Sequence, residues 1–254
     1  MFITFEGIEG AGKSSQAVRL ADRLIANNFK PRLTHEPGGT PYAGAIRALL
    51  LYPETSLKAL AHERLVPADE NPEPVLPLTE VFLLSAARAQ HVDQIRRWMA
   101  EGYVVISDRY ADATYAYQGR GRGVDVEIIS TVEQIATGGL KPDLTVLLDL
   151  PVEVGQRRKQ RFFRSSLDQP ALFDVPADAP DDKKSRRKSQ AQEPAPGEWN
   201  RLDAETFAFH ERVRAGYLEL AAAEPQRWVV LDADQPSDAL AEPVWQAVRE
   251  RLGA

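Results

Sequence analysis

The chain of 254 residues contains no cysteine, which excludes a disulfide framework and any thiolate metal centre. Its four histidines are scattered without zinc-ligand spacing, so Mg²⁺ is the only metal the sequence implies. No apolar run approaches the length needed to cross a membrane. The first residues enter a strand pattern at once, without the basic stretch and apolar core of a signal peptide. A cytoplasmic protein is therefore expected. Positive charge is also in short supply: the formal charge is -6, so nothing draws the chain to nucleic acid or to an anionic lipid surface. A small-molecule substrate fits better than a polymer, with no nucleic acid and no membrane as partner. No internal repeat is visible, and the length suits one domain, 1–254, that carries a long insertion.

What is present begins with Gly7-Ile8-Glu9-Gly10-Ala11-Gly12-Lys13-Ser14, an unbroken G-x-x-x-x-G-K-S followed by Ser15. It lies between the apolar run Phe2-Ile3-Thr4-Phe5 and a helix-patterned segment, the strand-to-helix setting of a phosphate-binding loop. The glycines let backbone N–H groups turn inward on anionic oxygens, Lys13 suits the β- and γ-phosphates, and the Ser14 hydroxyl suits Mg²⁺. A nucleoside triphosphate is the expected ligand. Glu9 inside such a loop is unusual. A carboxylate beside phosphate oxygens is repelled unless it faces another group such as a sugar hydroxyl, or simply points to solvent.

Along the chain, Ala17, Leu20, Ala21, Leu24 and Ile25 mark a first helix, and Pro31-Arg32-Leu33-Thr34 a second strand running into the irregular turn His35-Glu36-Pro37-Gly38-Gly39-Thr40. A helix is expected from about Tyr42 to Leu51. Residues 53 to 78, rich in proline and acid, read as loop or short helical pieces outside the core. Thr79 to Met99 returns to a helical stripe through Val81, Leu84, Val92, Ile95 and Met99, with Arg88 on the same stripe. Strands follow at Tyr103–Ile106, Leu144–Leu148 and Trp228–Leu231. Residues 111 to 139 look helical but interrupted by a flexible Gly119-Arg120-Gly121-Arg122-Gly123, and Pro151 is placed to open a helix. Residues 165 to 198 carry five prolines and the basic run Lys183–Lys188, a composition that resists packing and is read as a largely disordered insertion within a lid region, 157–201. Asn200 with Asp203 resembles a capping box ahead of a helix whose stripe is Phe209, Val213, Tyr217 and Leu220, and a last helix closes near Leu252. Alternating strands and helices predict an α/β fold: a five-stranded parallel sheet with helices on both faces. Every strand ends near an acid: Glu6, Glu36, Asp108, Asp149, Asp232. Some of these must only cap helices or hold turns.

Asp108 is placed to hold Mg²⁺ opposite Ser14, and Arg109 to neutralise a phosphate. Arg88, on a core-facing stripe, needs an anionic or carbonyl partner, either an acid such as Glu80 or Glu36 or a bound nucleotide. Tyr115, Tyr117 and Gln118 suit a nucleobase as well as they suit a core. Arg157, Arg161 and Arg164 share a helix face that is either solvated or part of a lid clamping phosphoryl groups.

Taken together, Phe5 to Ser14, Glu36-Pro37-Gly38-Gly39-Thr40, Ala87-Arg88-Ala89-Gln90, Asp108-Arg109-Tyr110 and Tyr117-Gln118-Gly119 resemble the bacterial thymidylate kinases in order and spacing, as do Pro142-Asp143-Leu144-Thr145 and Asp232-Ala233-Asp234-Gln235-Pro236. The resemblance implies transfer of the ATP γ-phosphoryl group to dTMP, with ATP and Mg²⁺ required, in a homodimer. It implies that Glu9 faces the deoxyribose and acceptor phosphate, Arg88 the thymine carbonyl, Arg109 the dTMP phosphate, Thr114 the base edge and Tyr117 the sugar, with Glu36, Pro37, Leu84 and Gln118 completing the acceptor site. The Asp232–Pro236 turn lies near adenine in such enzymes. Since the phosphate loop holds no arginine, the resemblance assigns that charge to the lid: Arg158, Arg161 and Arg201, catalytic together with Lys13 and Arg109. The chain departs from the common pattern at Leu84, where a stacking phenylalanine is frequent, at His35, where an arginine is frequent, and in the length of the lid.

Other readings share parts of this pattern. A sister kinase acting on UMP, CMP or a nucleoside would have the same fold. A GTP-driven switch would need Asn-Lys-x-Asp, which does not occur. A catalytically silent nucleotide-binding regulator would not need Lys13, Ser14, Asp108 and Arg109 all intact.

Overall fold

The computed structural model describes residues 1–67, 73–165 and 200–253. Apart from Ser165, which ends a helix, the insertion read from the sequence, its basic run included, lies outside them, as does the Arg164 side chain.

Five parallel strands form one sheet in the order β2-β3-β1-β4-β5: β1 Phe2–Glu6, β2 Pro31–His35, β3 Val104–Asp108, β4 Leu144–Asp149 and β5 Trp228–Asp232. β1 lies at the centre and is buried along its whole length, as expected of a strand covered on both faces. Its side chains alternate: Ile3 and Phe5 join the larger core, while Phe2 packs with Val92, Ile95, Val105 and Tyr110 on the other side.

The helices are α1 Lys13–Ala26, α2 Pro41–Leu51, α3 Pro53–His62, α4 Pro77–Ala100, α5 Ala111–Thr114, α6 Val126–Thr137, α7 Val152–Ser165, α8 Phe207–Ala223 and α9 Ser237–Leu252. α1 buries Ala17, Leu20, Ala21 and Leu24 against the sheet, but Ile25 is 60% exposed. At 100° per residue Ile25 falls at the margin of that stripe. α3 has no buried residue, in keeping with a helical piece outside the core.

Two further expectations are corrected. The interruption of the helical stretch 111–139 does occur, at residues 122–125, but Gly119 to Gly121 lie ahead of it inside a π-helical segment, Tyr115–Gly121, into which α5 runs directly and where Arg122 N–H bonds Tyr117 O at 2.9 Å. Gly121 lies so close to the Phe209 ring that a Cβ would strike it, and Gly216 of α8 meets Arg120 in the same way. The glycines are there for close approach between the π segment and α8. The Asn200–Asp203 bonds do form, Asn200 N to Asp203 Oδ2 at 2.9 Å and Leu202 N to Asn200 Oδ1 at 2.9 Å, yet they close a turn. α8 starts later, capped by Thr206, whose side chain accepts from Phe209 N at 3.2 Å.

Candidate active site

The phosphate loop leaves the carboxyl end of β1 and delivers the chain to α1. Gly12 occupies the N-cap position with φ 92°, a left-handed conformation, and supplies no side chain to cap the helix. The first N–H groups of α1 are therefore left for an anion. Gly10 faces Gly155 at the start of α7, and a Cβ on Gly10 would collide with the Gly155 carbonyl. Lys13 is buried, its Nζ donating to Ile8 O at 2.9 Å across the loop. Burial, and then the nearby Arg109 cation, push its pKa down to about 8 against the pull of Asp108, Glu9 and Glu6.

Ser14 Oγ donates to Asp108 Oδ2, so the two side chains singled out for Mg²⁺ touch, one from the start of α1 and one from the end of β3. Among the described residues no cluster of three or more acidic, histidine or cysteine side chains could cage a metal. One hydroxyl and one carboxylate suit Mg²⁺ bound mainly by phosphate oxygens and water, so the residues present fit that ion.

Arg109 follows β3 with a left-handed backbone, φ 72°, uncommon for a residue with a side chain. Its guanidinium is gripped from several elements: Nη1 donates to Tyr217 Oη at 2.8 Å, and Nη2 to Glu9 Oε1 and Tyr117 Oη, both at 2.9 Å. Tyr117 Oη donates to the same Glu9 oxygen at 2.5 Å. Tyr217 Oη in turn donates to Glu6 Oε2 at 2.7 Å, and Tyr110 N to Glu6 Oε1 at 2.8 Å. Glu9 thus faces an arginine and a tyrosine rather than solvent. Burial alone would raise its pKa, but Arg109 and Lys13 outweigh that and hold it at about 2. Glu6 goes the other way: complete burial carries it up to about 8 despite Arg109.

On the far side of Arg109, Arg88 is buried with Nε on Glu36 Oε2 at 2.7 Å, Nη1 on Glu133 Oε1 and Nη2 on Tyr110 O at 3.3 Å. Of the two acids weighed from sequence, Glu36 is its partner and Glu80 is not. Burial opposes the charge on Arg88, but Glu36 and Glu133 overcome it and raise the guanidinium's pKa. His91 Nδ1 lies 2.9 Å from Glu36 Oε1, and Thr34 Oγ1 lies 2.7 Å from His91 Nε2. Pro37 O accepts from Arg47 Nη1 at 3.0 Å. His35 packs under the turn, where its ring fills the space a Cβ on Gly38 would need. Burial, then the Arg47 cation, lower its pKa to about 4.

Thr114 is buried with its Oγ1 unpartnered, and Gln118 donates to Glu80 Oε2 at 2.7 Å while its own Oε1 is unpartnered. Leu84 packs with Leu50, Leu51 and Leu202.

The three lid arginines are not brought together. Arg158 Nη1 donates to Ala233 O at 2.8 Å, on the turn after β5, with Asp234 3.7 Å from Nη2. Arg161 is exposed. Arg201 Nη1 donates to Glu80 Oε1 at 2.6 Å and its backbone N–H to Leu51 O at 3.1 Å. Lys159, not singled out from sequence, reaches from α7 to Asp203 and lines a small cavity with Glu9 and His210. Sequence reasoning also passed over Tyr217, read only as core, and Glu133. Of the strand-end acids, Asp149 is bonded by Arg214 at 2.7 and 2.8 Å and Asp232 holds its own turn through Asp234 N at 2.9 Å.

The Thymidylate kinase family model matches residues 5–169. The chain is 43% identical over 257 residues to a thymidylate kinase of Herpetosiphon aurantiacus, covering 99% of this chain and 96% of that one. It is 40% identical over 255 residues to one of Roseiflexus castenholzii, covering 100% and 95%. Its fold is similar to the crystal structure of thymidylate kinase from Ehrlichia chaffeensis, with a TM-score of 0.61, 24% identity and 98% of each chain covered.

Proposed function

The chain belongs to the thymidylate kinase family, and from that membership we propose how its own side chains divide the work of transferring the ATP γ-phosphoryl group to dTMP, giving dTDP and ADP. ATP is the donor and Mg²⁺ the metal, as in the family. A sister kinase or a silent regulator is not favoured.

The observation that carries the assignment of roles is the cradle around Arg109: Glu9 from the phosphate loop and Tyr117 from the acceptor side meet on one guanidinium. The 5′-phosphate of dTMP is already an anion and needs no strong base, so the protein's task is alignment and charge neutralisation. Lys13 and the backbone from Gly7 to Ser15, including the N-terminus of α1, serve the donor phosphates. Arg109 serves the acceptor phosphate, and its orientation is fixed in advance by Glu6, Glu9, Tyr117 and Tyr217. Glu9, ionised at any pH near neutrality, repels phosphate and accepts from Tyr117 and the sugar. Arg88, Thr114, Gln118 and Leu84 face the base, with Glu36 and the Pro37 turn behind Arg88. Ser14 and Asp108 would hold Mg²⁺, which neutralises phosphate oxygens when bound. Arg158, Arg161 and Arg201 remain the lid's candidates, and residues 1–254 act as one kinase domain.

Coupled ADP-release assays with dTMP, dUMP, UMP and thymidine test the substrate reading. dTMP is expected to be preferred over ribonucleotides, and Tyr117→Phe to relax that preference by removing the hydroxyl that meets Glu9 and Arg109. Equal use of UMP and dTMP by the wild type would refute it. Asp108→Asn is expected to lower turnover and weaken the dependence on Mg²⁺, because an amide does not balance the cation's charge; an unchanged Mg²⁺ titration rules that role out.

Leu78 and Phe82 stand exposed one turn apart on α4, in keeping with a homodimer, which sedimentation at micromolar concentration measures. Among the described residues no helix is long and apolar enough to cross a membrane. Small phosphorylated substrates favour action in the cytoplasm, which cell fractionation tests.

A further inference from the structure

Arg88 has three donor nitrogens, and the two carboxylates on it use two of them. Glu36 takes Nε and Glu133, arriving from α6, takes Nη1. Nη2 is left with a single long bond, 3.3 Å, to Tyr110 O. Glu133 Oε1 also accepts from Ser85 Oγ at 2.9 Å, one turn before Arg88 on α4. Glu133 is 3% exposed, and its Oε2 has no hydrogen-bond partner.

That arrangement is costly as packing. Glu36 alone would balance the charge on Arg88, and a second buried carboxylate adds a desolvation penalty that an uncharged side chain of similar volume would avoid. The π segment touches both α4 and α6, and Gln118 Oε1 on it and Thr114 Oγ1, the last residue of α5 just ahead of it, are likewise buried without partners. Unfilled polar capacity of this kind marks a place where a ligand or water completes the bonding.

We propose that Glu133 is a positioning residue for base recognition: by engaging Nη1 it turns the Arg88 guanidinium so that Nη2 is the donor presented to the base, which selects a 4-oxo pyrimidine over a 4-amino one. A carbonyl oxygen accepts from Nη2. An amino group in its place would set one N–H against another and leave the arginine unsatisfied. This rests on the reading of Arg88 as the base-facing arginine, and the experiment separates the two.

Steady-state kinetics with dTMP and dCMP are measured for wild type, Glu133→Gln and Arg88→Lys. For Glu133→Gln, KM for dTMP is expected to rise roughly tenfold with turnover little changed, and the preference for dTMP over dCMP to shrink by a similar factor. A purely structural glutamate would instead lower thermal stability and move turnover and KM together, or move neither; either result overturns the proposal. If Arg88→Lys raises KM while Glu133→Gln does not, Arg88 faces the base but Glu133 does not position it. If Arg88→Lys leaves KM unchanged, the base-facing assignment falls and this proposal with it. Should Glu133→Gln fail to fold, Ser85→Ala removes the other bond to Glu133 Oε1 and is expected to show the same split on a smaller scale; wild-type kinetics there overturn the proposal equally.

Discussion

Lys13→Ala is expected to reduce turnover with dTMP by roughly a thousandfold or more while the protein keeps its fold. The ammonium lies in a water-poor pocket, where it is worth far more to a developing charge than it would be in solvent. Its one hydrogen bond, to Ile8 O, ties the charge to the loop and contributes little to the core. Burial and Arg109 already disfavour the cation when no phosphate is present, so its removal relieves a cost in the empty protein. Circular dichroism and the unfolding midpoint should therefore stay near wild type while ADP release collapses. A variant with native spectra and near-normal turnover would remove Lys13 from the machinery and with it the assignment of the loop.

The second large effect is expected in the lid. Alanine at Arg158, Arg161 or Arg201 should lower turnover more than ATP affinity, by as much as about a thousandfold for the arginine that meets the migrating group. Replacing residues 166–198 by a short glycine-serine bridge should preserve most activity. In this structure Arg158 is held by Ala233 O and Arg201 by Glu80, so either must exchange partners to reach the phosphate loop. Glu80 also receives Gln118, which makes the Arg201 bond part of the acceptor side. Rapid-quench measurement of the transfer step separates chemistry from product release. If the shortened protein folds but is dead while all three alanine variants turn over normally, the charge comes from the removed segment and these arginines are not the clamp.

Local pattern carried the reading a long way. Each strand is a short apolar run, and the loop motif places Lys13 and Ser14 by spacing alone. Asp108 meets Ser14 because Asp108 ends β3 while the loop leaving the neighbouring β1 carries the chain to Ser14 at the start of α1, which follows once a parallel sheet is granted. What stayed hidden were pairings between distant elements. Tyr217 reads as one more apolar position of α8, and nothing in its neighbours shows that its hydroxyl ends between Glu6 and Arg109. Glu133 looks like an exposed charge on α6 until α6 is laid against α4. The π segment is not legible in the sequence because five-residue hydrogen bonding has no periodic signature over a single turn, and its glycines suggest a flexible break. Arg201 was placed by its role in the lid, and its partner Glu80 lies 121 positions away in sequence.

The meeting of Gly10 and Gly155 bears on which sequences this site can ever explore. A methyl group on either would run into main chain: on Gly10 into the Gly155 carbonyl, on Gly155 into the Glu9 carbonyl. Compensation between the two is therefore impossible, since neither obstacle is a side chain that a second substitution could trim. The path from one acceptable residue pair to another is closed at both ends, and variation here must come by moving the whole start of α7. Directed evolution of this enzyme towards other donors or acceptors should accordingly recover changes around this contact and none within it, save those that arrive with an insertion or deletion between β4 and α7.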